Sequence, residues 1–520
     1  MDQLTSLAGG FGDVLTPMNL LWVVVGAFLG TAVGVMPGLG SAMAVALLLP
    51  MTFTLDPLAA LIMFSGIYFG GLFGDSTAGI LMNTPGNSTA IATTFEGHAM
   101  ARGGRAPQAL ATSAIGAFTG SILATVLVVF FAPTMADLAT RFGPGEYFAL
   151  ALFAFVAIST VVSESPLRGV AALVFGLALA LVGTDQSTGT ARFTFDVPAL
   201  FDGISIVVIT VAVLAVGEVL HVAGRHGRSG GTELIPSRGR PWLSGREFRR
   251  ALPAWLRGAG IGIPFGIIPA GGAEVPTFLS YTTEKQLDRR KEEPEFGTGA
   301  IEGVAGPEAA GNATAGSAMG ALLALGLPTS ATAALLLATF QQYGMQPGPL
   351  LFERNGEIVW ALLAALFLAA IVLLVLNLPF APLWAKLLML PQSYLYAGIT
   401  VFASLGVYAT GASQTDLVLM CALGLLAFVM RRNDVPLAPV LIAVILGPLA
   451  EYSLRDAMSN SGNDPLTLVS SPITIGLYSL LALGVAWTVY RRLRPAVPAT
   501  LAEAREQEDA DATEGADSRS

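Results

Sequence analysis

The stretch GTAVGVMPGLGSAM, residues 30–43, lies in an apolar run long enough to enter a membrane, yet it carries Gly30, Gly34, Pro37, Gly38 and Gly40. Proline removes a backbone donor and glycine weakens a helix, so the run predicts a helix that stops inside the bilayer instead of crossing it. The surrounding chain supports a membrane setting. Of its 520 residues, 53% are hydrophobic and 12% charged, where soluble domains carry about 25% charged residues. Segments such as ALATSAIGAFTGSILATVLVVFF, YFALALFAFVAISTVV and IVWALLAALFLAAIVLLVL recur up to about residue 490. The expected fold is an all-α polytopic membrane protein of about 11–12 spans. No room is left for a large soluble domain.

The first residues, MDQLTSLAGGFGDVLTP, lack a basic region and a small-residue cleavage pattern, so the first apolar segment is expected to be retained. Cys421 is the single cysteine and excludes an internal disulfide. Residues 495–520 are polar and acidic and read as a disordered tail.

Lysine and arginine concentrate in a few loops: eight arginines over residues 225–257, a second cluster at 285–291, Arg431 with Arg432, and the terminal Arg491, Arg492 and Arg494. Basic loops stay in the cytoplasm. Threading the spans through these anchors leaves Arg141, Arg192, Arg354 and Arg455 as the basic residues outside, with a periplasmic N-terminus and a cytoplasmic C-terminus. Residues 258–284 then lie between two cytoplasmic anchors and are too short for two crossings of about 20 residues each. They predict a re-entrant hairpin of two short half-helices with its tip at Pro269-Ala270-Gly271-Gly272.

That hairpin repeats the opening stretch. Gly26, Gly30, Gly34, Pro37 and Gly40 match Gly258, Gly262, Gly266, Pro269 and Gly272 at a constant offset of 232 (258 − 26). Further on, Pro85-Gly86-Asn87-Ser88-Thr89-Ala90 matches Pro328-Thr329-Ser330-Ala331-Thr332-Ala333 at an offset of 243 (328 − 85). The first hairpin has no basic flank and the second is flanked by Arg257 and Lys285, so the repeats read as inverted. The expected organisation is a first membrane repeat over 15–222, an arginine-rich cytoplasmic linker over 223–257, a second repeat over 258–494, and the tail. Inverted repeats with interrupted helices point to a secondary transporter whose site lies near the midplane.

The breaks answer why glycine and proline occupy membrane depth: they expose backbone amides at half-helix ends, whose positive dipole suits an anion. Candidate substrate-binding residues are Pro37, Gly38, Leu39 and Gly40 at the first tip, Thr84, Gly86, Asn87, Ser88 and Thr89 at the first break, Ala270, Gly271 and Gly272 at the second tip, and Thr329, Ser330 and Thr332 at the second break. Amides, hydroxyls and an acid are hard oxygen ligands, so Asn83, Asn87, Glu274 and Ser330 are candidates for a coupling ion, Na⁺ or H⁺. For Gly26, Gly30 and Gly34 helix packing is the simpler reading. Asp75, Glu302 and Glu308, with Asn312 nearby, are further intramembrane acids and thus functional candidates.

No G-x-x-x-x-G-K-[ST] occurs, so no P-loop binds ATP, and no H-E-x-x-H is present. An intramembrane enzyme acting on a lipid-linked substrate is the alternative reading, and it lacks a nucleophile with a base. No resident cofactor and no nucleic-acid partner are expected.

GVMPGLGSAMAVALLLPMTFTLDP, GIYFGGLFGDSTAGILMNTPG, EFGTGAIEGVAGPEAAGNATAG, LGLPTSATAALLL and GMQPGPLLF together resemble the large membrane subunit of the tripartite tricarboxylate transporters, over about residues 15–490. The resemblance implies an ion-driven permease of the bacterial inner membrane. Its implied partners are a small membrane subunit and a periplasmic substrate-binding protein, and its implied cargo is citrate or a related carboxylate. The chain departs from the family pattern at Asn87, where an acidic residue is common, at Thr329, where glycine is common, and at Glu274, where a neutral residue is usual. All three fall at the presumed site and open the substrate beyond tricarboxylates.

Overall fold

The computed structural model describes residues 3–36, 39–52, 55–161, 165–185, 188–224, 234–237, 239–268, 272–288 and 295–493. The tail expected over 495–520, Pro37, Gly38, Pro269, Ala270, Gly271 and residues 289–291 lie outside the described residues. The helices are α1 Gln3–Val14, α2 Pro17–Gly34, α3 Ser41–Thr52, α4 Pro57–Met82, α5 Ile91–Met100, α6 Ala106–Ala139, α7 Pro144–Val161 and α8 Pro166–Ala180. They continue with α9 Ile206–Ala223, α10 Gly245–Ile267, α11 Glu274–Leu287, α12 Glu302–Leu325, α13 Ala331–Gln342, α14 Gly356–Asn377 and α15 Ala381–Leu387. The last are α16 Gln392–Gly411, α17 Gln414–Arg432, α18 Ala438–Asn460 and α19 Pro472–Leu493. Two-residue strands β1 (Gly183–Thr184) and β2 (Ala191–Arg192) pair antiparallel. Among the described residues, 7 helices are long and apolar enough to cross a membrane, and shorter apolar helices of 10–17 residues accompany them. The protein is an all-α polytopic membrane protein.

The helix starts and stops follow from the sequence. Thr16 caps α2 with Pro17 in the first turn, and the helix ends at Gly34, ahead of Pro37. The chain restarts at Ser41, and α3 has 12 residues, about 18 Å, against a hydrocarbon core of about 30 Å. The second hairpin differs from the expected pair of short half-helices. Its first arm, α10, has 23 residues and runs without interruption through the expected linker boundary at 257/258. The physical reason is local: Ser244 and Glu247 form a capping box that satisfies the first-turn amides, and Ala251, Ala254 and Trp255 bury one face. Across the hairpin Arg257 Nε donates to Glu284 Oε1 at 2.8 Å. From that pair each arm runs about 15 Å toward the tip (267 − 257 and 284 − 274, ten residues each), roughly half the hydrocarbon thickness.

Each hairpin's long arm lies along a broken helix through a glycine ladder. A Cβ on Gly26, Gly30 or Gly34 would fall 2.1, 2.6 or 2.3 Å from the carbonyl oxygens of Met63, Ile67 and Gly71 on α4. On Gly258, Gly262 or Gly266 it would fall 2.1 Å from those of Gly306, Ala310 and Thr314 on α12. The glycines are 232 apart and their carbonyl partners 243 apart (306 − 63). The broken helices stop at matched places too, α4 on Asn83 (φ 53°) and α12 on Gly326 (φ 70°), both left-handed. They restart on the side-chain caps Asn87 and Ser330.

Around these ladders α6 packs along α12, and α14 packs against α4, α2 and α1. The helices α6 and α14 therefore belong with the hairpins. Small residues permit this, since a Cβ on Gly120 would meet Ala309 O at 2.2 Å. A second group holds α18 against α7 and α8, α17 against α9, and α19 against α7. The short helices α3 and α13 touch each other and lie between the two groups, α3 reaching α16 and α9, and α13 reaching α18.

Candidate functional site

The two tips and two breaks converge on one cavity of about 280 Å³, near the small end of ligand pockets, which run from about 300 Å³ upward. Gly40 comes from the first tip, Asn87, Ser88 and Thr89 from the first break, Gly272 and Glu274 from the second tip, and Thr329, Ser330 and Thr332 from the second break. The hydrogen bonds cross between halves. Ser88 Oγ donates to Glu274 Oε1 at 2.5 Å, and Ser41 Oγ lies 3.1 Å from Thr332 Oγ1. Tyr68 OH on α4 donates to Ala315 O on α12 at 3.0 Å. Each hairpin is therefore bonded to the opposite half's broken helix, and a displacement of one half is felt in the other.

Backbone geometry explains the glycines. A Cβ on Gly40 would meet the Asn87 side chain at 3.5 Å, and Gly272 adopts φ 82° with Glu274 Oε2 2.7 Å from where its Cβ would stand. Gly86 is a packing residue, since its Cβ would fall 2.9 Å from Gly34 O. Asn87 Oδ1 accepts from Ser88 N at 3.0 Å, and Ser330 Oγ accepts from Ala333 N at 3.2 Å. Asn87 caps the turn Ser88–Ala90 that leads into α5, Ser330 caps α13, and Asn87, Ser88, Ser330 and Ala331 line the cavity.

Other named residues lie elsewhere. Leu39 is buried outside the cavity lining, Asn83 is an exposed helix end, and Thr84 Oγ1 returns its proton to Met82 O at 3.1 Å. Pro37, Gly38, Ala270 and Gly271 are outside the described residues. Glu302 is engaged by Arg250, with Nε to Oε1 at 2.9 Å and Nη2 to Oε2 at 2.7 Å, which makes it part of an ion-pair network at the base of α10. The cavity also takes residues the sequence reading omits: Ser41 and Tyr68, Thr314 on α12, and Ile158, Ala438 and Ile442 from α7 and α18. Ser41 directly follows the quoted tip and Thr314 supplies a ladder carbonyl, so both were within reach. The three apolar wall residues carry no signal that separates them from any lipid-facing side chain.

Glu274 is the charged side chain among the lining residues, and no lysine or arginine is among them. The lining is otherwise hydroxyls, one amide and small or apolar groups. Such a set donates hydrogen bonds to carboxylate oxygens and offers oxygen ligands to a small cation.

The comparisons with known proteins agree with this architecture. The family described as "Tripartite tricarboxylate transporter TctA family" matches residues 20–442. The chain is 41% identical over 490 residues, 94% of its length and 96% of the relative's, to an uncharacterized 52.8 kDa protein in the TAR-I ttuC' 3' region of Agrobacterium vitis. It is 38% identical over 224 residues, 43% of its length and 90% of the relative's, to an uncharacterized protein in the TAR-II ttuC' 3' region of the same organism. No solved structure matches. The chain belongs to the tripartite tricarboxylate transporter TctA family, and is a multi-pass membrane transporter subunit that works with partner subunits and not an enzyme.

Proposed function

We propose that the chain is the permease of a binding-protein-dependent importer, taking up a tricarboxylate or related organic anion by symport with Na⁺ or H⁺. In this reading it sits in the bacterial inner membrane with its N-terminus periplasmic and its C-terminus cytoplasmic. A periplasmic substrate-binding protein delivers the anion and a small membrane subunit completes the permease. The observation that carries the reading is the cavity where Asn87, Ser88 and Thr89 face Glu274 and the second break, at the boundary between the two helix groups. An anion there is held by hydroxyls and first-turn amides instead of arginine. Its charge, and that of Glu274, call for an accompanying cation. The hairpin-bearing group, including α6 and α14, is the unit that moves past α7, α9 and α18 to open the cavity to either side.

The test is uptake into proteoliposomes holding the chain, its small subunit and its binding protein. A carboxylate chosen by a thermal-shift screen of that binding protein accumulates only when a Na⁺ or H⁺ gradient is imposed. Accumulation without any ion gradient counts against symport. Replacement of Ser88 and Thr332 by alanine lowers uptake at least tenfold while the chain still reaches the membrane.

A further inference from the structure

Beneath the cavity two acids approach each other where α4 meets α12. Asp75 is 3% and Glu308 4% exposed. Ser76 Oγ lies 3.3 Å from Asp75 Oδ1 and hydrogen-bonds Glu308 Oε1 as well, while Thr89 Oγ1 donates to Asp75 Oδ2 at 2.8 Å. Ser76 has one hydrogen and two carboxyl oxygens to serve, so it cannot by itself donate to both acids when both are ionised. A proton on Glu308 closes the chain: Glu308 donates to Ser76 Oγ, Ser76 donates to Asp75, and Thr89 donates to Asp75 from the other side.

Two further polar groups stand beside Glu308. Thr93, 1% exposed, sets its hydroxyl against the Glu308 carboxyl, yet Thr93 Oγ1 finds no hydrogen bond of ordinary geometry among the described residues. Asn312 Oδ1, one turn beyond Glu308, is likewise without a partner there, its amide nitrogen donating to Glu308 O at 3.1 Å. Glu308 therefore has polar company that is not fully used.

Charged groups nearest the pair on the elements packed around it are engaged elsewhere. On α5, Glu96 accepts from the amides of Gly297, Gly299 and Ala300 and from Tyr281 OH, and His98 Nδ1 is 3.1 Å from Ile80 O. Ahead of α6, Arg105 pairs with Glu247. On α10 and α11, Arg250 holds Glu302, Arg257 holds Glu284, and Ser88 holds Glu274. What faces Glu308 from α6 and α10 is Gly116, Ser113 and the Trp255 ring. Among the described residues no lysine or arginine side chain is bonded to Asp75 or Glu308.

We propose that Asp75 and Glu308, bridged by Ser76, form the proton-carrying site of this transporter, read out in the cavity through Thr89. This rests on the transport reading above and fixes its coupling ion. The O–H bond forms at Glu308 with a proton from water on the entry side and breaks on the exit side. Thr89 supplies the coupling because its hydroxyl both lines the cavity and serves Asp75. An anion that draws the Thr89 proton toward itself strips Asp75 of a donor, and the pair then holds its own proton more tightly. Substrate and proton bind together, as symport requires.

The test is infrared difference spectroscopy of the purified chain in lipid nanodiscs, titrated with acid and base in choline buffer and repeated in sodium buffer. The wild type shows a protonated-carboxyl band that survives above the ordinary carboxylate range. Glu308→Gln and Asp75→Asn each lose it, and Glu274→Gln keeps it. Should Glu308→Gln fail to fold, Glu308→Asp, which keeps the acid, shifts the band instead. A wild type without the band, a band that persists in both acid-pair variants, loss in Glu274→Gln instead, or abolition by sodium at constant pH overturns the proposal. Gradient-driven uptake with no such band leaves the transport reading standing and removes only this site.

Discussion

The two hairpins solve one packing problem with different anchoring. In the first half, Gly26, Gly30 and Gly34 press α2 onto α4, and the hairpin ends on helix caps, with Thr16 accepting from Asn19 N and Asp56 from Ala59 N. In the second, Gly258, Gly262 and Gly266 press α10 onto α12 in the same register, but the base is tied by Arg250 to Glu295 and Glu302 and by Arg257 to Glu284. Glu96, on α5 of the first half, adds a clasp on the second half that is not returned, its matched position (96 + 243) in the second half being Thr339. Glycine spacing fixes how closely a hairpin lies on its partner, and charge at the base fixes where it stops.

The clasp is the sharpest asymmetry and removing it has the largest effect. Glu96 is 0% exposed and accepts from Gly297 N at 2.6 Å, Gly299 N at 2.9 Å, Ala300 N at 3.0 Å and Tyr281 OH at 2.9 Å. Orphaned buried donors cost about 1–3 kcal/mol each. Glu96→Ala is therefore expected to cost about 4 kcal/mol, and Glu96→Gln less, since it keeps one acceptor. Thermal unfolding in detergent checks both; equal losses would mean the carboxylate is not the organising group.

Next is the Arg257–Glu284 pair. The Glu284 side chain is 1% exposed, so Arg257→Ala strands a buried carboxylate, a loss of about 3 kcal/mol. The double variant Arg257→Ala, Glu284→Gln should recover part of that loss, which a double-mutant cycle measures. The loss should be confined to the second half, with proteolysis appearing between residues 285 and 300 before it appears between 35 and 41.

The same contrast shows what the sequence made legible. Glycine and proline at membrane depth, recurring at offsets of 232 and 243, carry the packing, because only a missing Cβ lets two helix backbones approach to carbonyl contact. That signal survives in an apolar sequence, where hydropathy is uniform. The start of the long α10 was also written there, in the capping box of Ser244 and Glu247, among the arginines of the expected linker. Charge count says on which side a segment lies, and the capping box says that it is helical. The allegiance of α6 and α14 was not legible, since an apolar span looks alike whichever neighbour it meets. Nor was the meeting of Asp75 with Glu308, which joins α4 to α12 across positions that do not match in the repeat.

Smaller effects test the ladders directly. Alanine at Gly26, Gly258 or Gly262 places a methyl 2.1 Å from a carbonyl oxygen, while Gly260 on the same helix as the last two has nothing within 4 Å. Overpacking costs about 1–3 kcal/mol. The first three are expected to lower thermal stability to a similar extent, and Gly260→Ala should leave it unchanged. A larger loss at Gly258 than at Gly26 would mean that the ion pairs stiffen the second ladder, so that it relaxes less around the methyl.

The smallest effect concerns the start of α10. Burial disfavours the Glu247 carboxylate, but the Ser244 amide and hydroxyl and the Arg105 guanidinium outweigh it and hold its pKa below the ordinary value. A folded-state pKa that is depressed contributes stability that is present above the unfolded value and lost as pH falls through the folded one. The contribution of Glu247 should therefore be full at neutral pH and fade only below the usual carboxylate range. A capped helix start is worth about 1 kcal/mol. Glu247→Gln should show a small deficit against wild type at pH 7 that closes as the solution is acidified, measured by thermal unfolding at stepped pH. The matching helix start in the first half should not show this convergence, because α2 begins on Thr16, whose hydroxyl does not titrate in that range. A deficit that is constant with pH would place the stabilisation in the geometry of the cap instead of its charge.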